Sequence, residues 1–131
     1  MFGTAPTVTT SITIPHIIST GTTPGIAAGA AAGTSPTISV AGTDLAGEID
    51  LTTGTVPPAN ATLLTLTFNV AYGAAPQCTF SPSNAAAGDL AGLYGVGLVS
   101  SSTTTTFVIT VTSNNNLPAS VQHKWKFVCV Q

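Results

Sequence analysis

The residues able to do chemistry are few. Asp44, Glu48, Asp50 and Asp89 are the only carboxylates, His16 and His123 the only imidazoles, Cys78 and Cys129 the only thiols, and Lys124 and Lys126 the only cations. Catalysis needs several such groups converging in one cleft, and this supply is too thin to expect an enzyme. Asp44, Glu48 and Asp50 fall within seven residues, and on a strand Glu48 and Asp50 project from one face because side chains alternate with a period of two. An oxygen-built calcium or magnesium site is conceivable there. With no glycine-containing D-x-D-x-D loop, a solvated acidic strand end is the commoner meaning of the pattern, and no metal or cofactor is expected.

Neither histidine has a partner near it in sequence, and no G-x-S-x-G elbow is present for nucleophilic catalysis. Gly92, Gly95 and Gly97 lack the helix that a dinucleotide fingerprint requires after its glycines. The two cysteines lie in predicted strands outside any C-x-x-C spacing, which removes a redox motif and a zinc knuckle. Two buried free thiols behaving as small hydrophobes is the favoured reading, and a disulfide tying the last strand to the middle of the domain is the alternative.

The elements that would position these groups are predicted to be strands. Leu64, Leu66, Phe68 and Val70 alternate with Thr65, Thr67 and Asn69, the signature of a half-buried strand. Trp125, Phe127 and Cys129 alternate in the same way against Lys124, Lys126 and Val128. Further runs cover Thr37 to Val40, Glu48 to Thr52, Gln77 to Phe80, Tyr94 to Val99 and Thr106 to Val111. Turn-rich stretches separate them at Gly54 to Asn60, Tyr72 to Pro76, Pro82 to Gly88 and Asn114 to Pro118. The spacing predicts an all-β fold, an antiparallel β-sandwich or jelly roll of about seven to nine strands. Ser83 to Leu90 is the one stretch that could form a turn or two of helix, capped by Ser83 or Asn84.

Before that body, Thr7, Val8, Thr9, Thr10, Ser11, Ile12, Thr13 and Ile14 are β-branched almost throughout and are followed by Pro15, which suits an extended arm or an edge strand. Gly21 to Pro36 is a Gly/Ala/Thr stretch with two prolines and no hydrophobic period, and it reads as a linker or extended crossing. The expected organisation is an N-terminal arm and linker over residues 1–35 and a sandwich body over 36–131.

Charged residues are only 5% of the 131, the net charge is −2, and threonine is the most frequent residue. Ordinary soluble domains carry about 25% charged residues. Hydroxyls and amides must therefore meet the solvent, or much of the surface lies against partner subunits. Two cations cannot neutralise a run of phosphates, so nucleic acid is not an expected partner. The longest apolar stretch, Ile26 to Ala32, is far short of the roughly 20 residues of a spanning helix, so no membrane role is expected. No basic segment precedes an apolar one at the start, so export through a signal peptide is not expected either. The large apolar anchors are five Phe, two Tyr and one Trp, a thin core for one domain.

The segments AGTDLAGEIDLTTGT (Ala41 to Thr55), LTFNVAYGAAPQCTFSPSNAAA (Leu66 to Ala87), TTTTFVITVT and HKWKFVCVQ together resemble a β-sandwich module of tailed-bacteriophage virion proteins, found in fibre knobs and in small capsid-attached proteins. The positions that carry the likeness are Asp44, Ala46, Gly47, Thr52, Thr53, Gly54, Phe68, Ala71, Tyr72, Ala75, Pro76, Pro82, Asn84, Ala85 and Ala86, and it spans roughly residues 36–131. Cys78 and Cys129 depart from the pattern. The resemblance implies a virion structural protein and by itself does not say where on the particle. The small size, the lack of a spanning or export segment and the separate arm point to a decoration or cement protein on the outer capsid surface, made in the host cytoplasm. Its implied partners are copies of itself, as a homotrimer, and the major capsid protein. A tail or head fibre tip that binds a host receptor is the alternative. The arm from Thr7 to Ile14 is the expected attachment element, adding a strand to a neighbour.

Physical readings stand beside the likeness. Gly47 and Gly54 are expected to take positive φ in turns, and Tyr72 offers a ring that can be buried with its polar tip at a corner.

Overall fold

β-Branched and aromatic residues recurring every second position produce strands here almost without competition from helix. A computed structural model of the protein describes residue 16 and residues 18–131, so the expected arm from Thr7 to Ile14 lies outside the described residues. Eight strands form two four-stranded sheets: β1 (Gly25–Ala28), β2 (Thr37–Gly42), β3 (Ala46–Thr52), β4 (Thr62–Thr67), β5 (Gln77–Pro82), β6 (Leu98–Ser102), β7 (Thr106–Val111) and β8 (Gln122–Val130). One sheet has the order β1-β4-β7-β6 and the other β2-β3-β8-β5. Every pairing is antiparallel. The fold is therefore the all-β antiparallel sandwich expected from the sequence, with its strand count inside the expected range.

The core lies between the sheets. Ile49 and Leu51 on β3 and Trp125 and Phe127 on β8 face Leu64 and Leu66 on β4 and Phe107 and Ile109 on β7, all sealed from solvent. Leu63 joins them because the β4–β7 register shifts between Thr62 and Leu64, and such a bulge lets two successive side chains point inward.

The helix α1 (Ala85–Gly92) starts where Asn84 accepts a hydrogen bond from the Ala87 N–H at 3.0 Å, the N-cap arrangement expected for Asn. The same Asn84 oxygen accepts from the Lys124 N–H, and its amide donates to the Gln122 carbonyl. Asn84 thus fastens the helix to β8.

Four sequence expectations are corrected. The Gly21 to Pro36 stretch is not a free linker: Gly25–Ala28 pairs with β4 as an edge strand, and Ala31 and Ala32, in a 3₁₀ turn, are fully buried. Alanine's small side chain hid this, since it fills a narrow inter-sheet space without creating an apolar period. The strand predicted through Val70 ends at Thr67, and Val70 is 74% exposed, because another part of the chain captures its N–H. The strand predicted over Tyr94 to Val99 begins only at Leu98. Gly47 and Gly54 do not have positive φ, which falls instead at Gly33, Gly42 and Gly95. A Cβ at Gly54 would collide with the Thr34 carbonyl, and one at Gly47 with the Ala41 carbonyl and the Phe127 ring, so close approach is what requires glycine there.

The favoured reading of the cysteines is also overturned. Cys78 and Cys129 are directly opposed in the β5–β8 ladder, with Cα atoms 4.1 Å apart, and are joined as a disulfide. The two residues are separated by 51 positions, and closing a loop of that length in the unfolded chain corresponds to about 4 kcal/mol in the chain-entropy account. We expect Cys78→Ala/Cys129→Ala, or reduction of the wild type, to lower the unfolding free energy by roughly 2–5 kcal/mol in urea titrations monitored by Trp125 fluorescence. Unreduced protein should take up no alkylating reagent without prior denaturation and reduction.

Candidate functional site

Strand alternation sorts the charges as well as the core. Along β8, His123, Trp125, Phe127 and Cys129 point inward, leaving Lys124 and Lys126 on the outer face. On β3, Ile49 and Leu51 point inward and Glu48 and Asp50 outward. The register sets Glu48 opposite Lys126 and Asp50 opposite Lys124. Lys124 Nζ lies 3.1 Å from Asp50 Oδ2 and 4.0 Å from Glu48 Oε1. Gln122 Nε2 donates to both Asp50 oxygens at 2.9 Å, and Ser83 Oγ donates to Glu48 at 3.3 Å. Pairs this exposed are each worth a fraction of a kcal/mol. Their main consequence is placement: four of the chain's charged side chains occupy the outer face of one sheet.

The outer face of the other sheet carries none. Its rows run Ala27, Thr65, Val108 and Ser101 across all four strands, with Thr67 beside Thr106 and Thr110 beside Val99 in the adjacent rows. The two remaining charges, Asp44 and Asp89, belong to the β2–β3 turn and to α1. A broad sheet face made of Thr, Ser, Val and Ala can be covered without desolvating any ion.

The end of the sandwich that holds the β2–β3 turn is knit together by Asp44. Its Oδ1 accepts from the Asn69 N–H at 3.0 Å and from Asn69 Nδ2 at 3.3 Å, and its Oδ2 accepts from the Val70 N–H at 3.0 Å. Those bonds pull the chain out of the ladder after β4, which is why Val70 faces outward. Asn69 Nδ2 also donates to the Thr22 carbonyl at 2.7 Å. Tyr72 packs edge-on against Phe68 with centroids 4.9 Å apart, and its hydroxyl donates to the Asp44 carbonyl at 3.0 Å and more weakly to that of Cys129 at 3.4 Å. Burial, and secondarily the Asp44 carboxylate, push the Tyr72 phenol above its ordinary pKa. It therefore stays a neutral donor. This is the corner role expected of Tyr72.

At the opposite end, Thr53 is buried and pins two loops. Its hydroxyl donates to the Pro118 carbonyl at 2.6 Å and accepts from the Val121 N–H at 3.1 Å. The Asn60 and Asn114 side chains meet at 2.7 Å. Val56, 80% exposed, holds φ 49° in the same loop, a conformation that β-branched residues rarely adopt.

The sequence-predicted candidates separate in space. Asp44 is committed to backbone N–H groups, while Glu48 and Asp50 lie together beside Lys124, so the three carboxylates form no cation cage. No group of three or more His, Cys, Asp and Glu side chains converges among the described residues. His16 is exposed. His123 is fully buried, stacked on Trp125 with centroids 5.7 Å apart, and neither ring nitrogen has a partner of hydrogen-bond geometry. The charge-free sheet face and the Asp44–Asn69–Tyr72 junction were not singled out from sequence. The outward threonines of β4 were visible in its alternation, but which strands flank it was not.

No protein-family model matches the chain, and neither does any curated protein or solved structure.

Burial lowers the His123 pKa, opposed in part by the nearby Ala86 backbone. A group whose folded pKa is depressed below its unfolded value of about 6.5 resists protonation in the fold. Its contribution is intact above that value and is lost as pH falls below it. Unfolding free energy measured between pH 7.5 and pH 5 should therefore decline on the acid side, and His123→Leu should flatten that decline.

Proposed function

We propose that this chain is a structural protein of a tailed-phage virion, a decoration or cement protein that lies on the outer capsid surface and strengthens contacts between capsomers. The observation that carries this reading is the segregation of charge between the two outer faces. The β1-β4-β7-β6 face, free of ions and built from β-branched and small residues, is the surface that docks. The face bearing Glu48, Asp50, Lys124 and Lys126 remains in water. Main-chain and hydroxyl hydrogen bonds with close van der Waals contact then supply attachment without ion pairs.

The sequence resemblance of residues 36–131 to phage sandwich modules is what supports assigning the chain to a phage particle. The intramolecular disulfide accords with a surface location, because such bonds persist on virion and cell surfaces and are rare in reducing cytosol. The partners in this reading are the major capsid protein and further copies of the chain, arranged as a homotrimer, with residues Thr7 to Ile14 strapping onto a neighbour as an added strand. Nucleic acid, membrane, cofactor and catalysis have no part in it.

The second reading, a fibre tip that binds a host receptor, is favoured by one feature. The Gly54 to Asn60 and Asn114 to Pro118 loops meet at one end of the sandwich through Asn60 and Asn114 and present Val56 to solvent. Backbone held in a sparsely populated region is common at recognition sites.

Charge placement tests the first reading. Thr65→Lys or Thr110→Lys, which sets an ion in the docking face, should weaken binding to undecorated particles by about tenfold or more. Thr79→Lys, an outward position on β5, should leave binding unchanged. Equal binding by all three variants in sedimentation with purified capsids would sink the docking assignment. Removing residues 1–20 should leave a cooperatively folding body that no longer decorates particles, and full binding by that truncation would exclude the strap. Few copies per particle would point to the fibre reading.

A further inference from the structure

A cleft of about 530 Å³ opens at the Asp44 end of the sandwich, between the Ser19–Thr22 segment, the β2–β3 turn, the loop after β4 and the last residue, Gln131. That volume lies within the range of small-molecule sites, roughly 300–1,000 Å³. The cleft belongs neither to the docking face nor to the loops of the opposite end.

Its chemistry is narrow. No Lys, Arg or His lines it, and Asp44 is its one charged residue. That carboxylate already accepts three N–H bonds from Asn69 and Val70. A phosphate or carboxylate ligand would find no cation and would face Asp44. A metal cation would find a single carboxylate whose lone pairs are largely occupied. Among the described residues, a wholly apolar ligand would leave the hydroxyls of Thr20 and Thr22 without water or partner, a costly outcome.

What remains favours a neutral ligand bearing many hydroxyls. Hydroxyl side chains both donate and accept, as the hydroxyls of a sugar do. Among the described residues, Asn69 keeps its carbonyl oxygen and Gln131 its amide nitrogen uncommitted, one acceptor and one donor in the lining. Val70, held outward by Asp44, and the side of Tyr72 give apolar surface for the C–H face of a pyranose ring. The walls are preorganised: Thr43 donates to Ser19 at 2.8 Å, Asn69 to the Thr22 carbonyl, and the Gly73 N–H to Gln131 at 3.2 Å. Preorganisation of this kind lowers the ordering cost of binding.

We propose that this cleft binds a neutral saccharide unit, with Asn69, Gln131 and the threonine hydroxyls reading its hydroxyl groups and Val70 lying against its apolar face. The proposal does not depend on where the protein sits on a particle.

The test uses the isotope-labelled full chain in solution. Neutral hexoses, deoxyhexoses, N-acetylhexosamines and their disaccharides are titrated while backbone amide shifts are followed, with sialic acid and inorganic phosphate as charged controls. At least one neutral sugar should give saturable shifts confined to residues 19–22, 43–45, 69–73 and 131, and the controls should give none. Gln131→Ala and Val70→Ser, both at solvent-exposed positions, should each weaken that binding roughly three- to tenfold, the scale of one neutral hydrogen bond or a modest apolar contact, without altering the unfolding midpoint. Absence of saturable shifts across the panel, shifts that map elsewhere, equal binding of the charged controls, or undiminished binding by both variants would each overturn the assignment.

Discussion

The structure depends on the central position of β8. Its residues 122–128 pair with β3 on one side and its residues 125–130 with β5 on the other, and its inward residues, Trp125 and Phe127, supply the largest side chains of that half of the core. Asn84 ties α1 to its backbone, and the disulfide bonds it to β5. Among the described strands β8 follows all the others, so the sheet built on it joins it to segments far back in the sequence. The β3–β8 pairing joins residues seventy or more positions apart, and such non-local closure places folding among the slower topologies. Covalent capture of the edge strand β5 offsets part of the entropy lost in that closure.

A single alternation governs both the inside and the outside of the molecule. The residues of β3 and β8 that miss the core include four ions beside Thr52, Gln122, Val128 and Val130, and those of β1, β4, β6 and β7 that miss it carry hydroxyls and methyls and no ion. A surface this poor in charge gains little solubility from electrostatic repulsion, so its ion-free face is better suited to being covered than to facing water. In the proposed reading, assembly follows from how the sandwich divides its residues.

The Asp44 junction links the two sheets at one end and shapes the cleft beside it. One carboxylate takes the place of the missing ladder partners of Asn69 and Val70, while Tyr72 satisfies the Asp44 carbonyl from the same loop. The loop is therefore held by hydrogen bonds to a charged group, which are stronger than neutral ones. Its exposed apolar residue is set in place by the fold.

Alternation in the sequence determined the strands β3, β4, β7 and β8 and the inward set Ile49, Leu51, Leu64, Leu66, Trp125 and Phe127, and residue types narrowed the helix cap to Ser83 or Asn84, because each depends on chemistry local to a few residues. The outward pairing of Glu48 with Asp50 followed from the same period. Only the tertiary structure decided that β1 joins the body, that β4 stops at Thr67, and that Cys78 faces Cys129. Each of these depends on a partner many residues away: β4 for Gly25–Ala28, Asp44 for Val70, and the β5–β8 register for the cysteines. The ion-free face and the cleft have the same origin, since a strand reveals which of its residues point outward while its neighbours in the sheet are chosen by long-range pairing that no local pattern encodes.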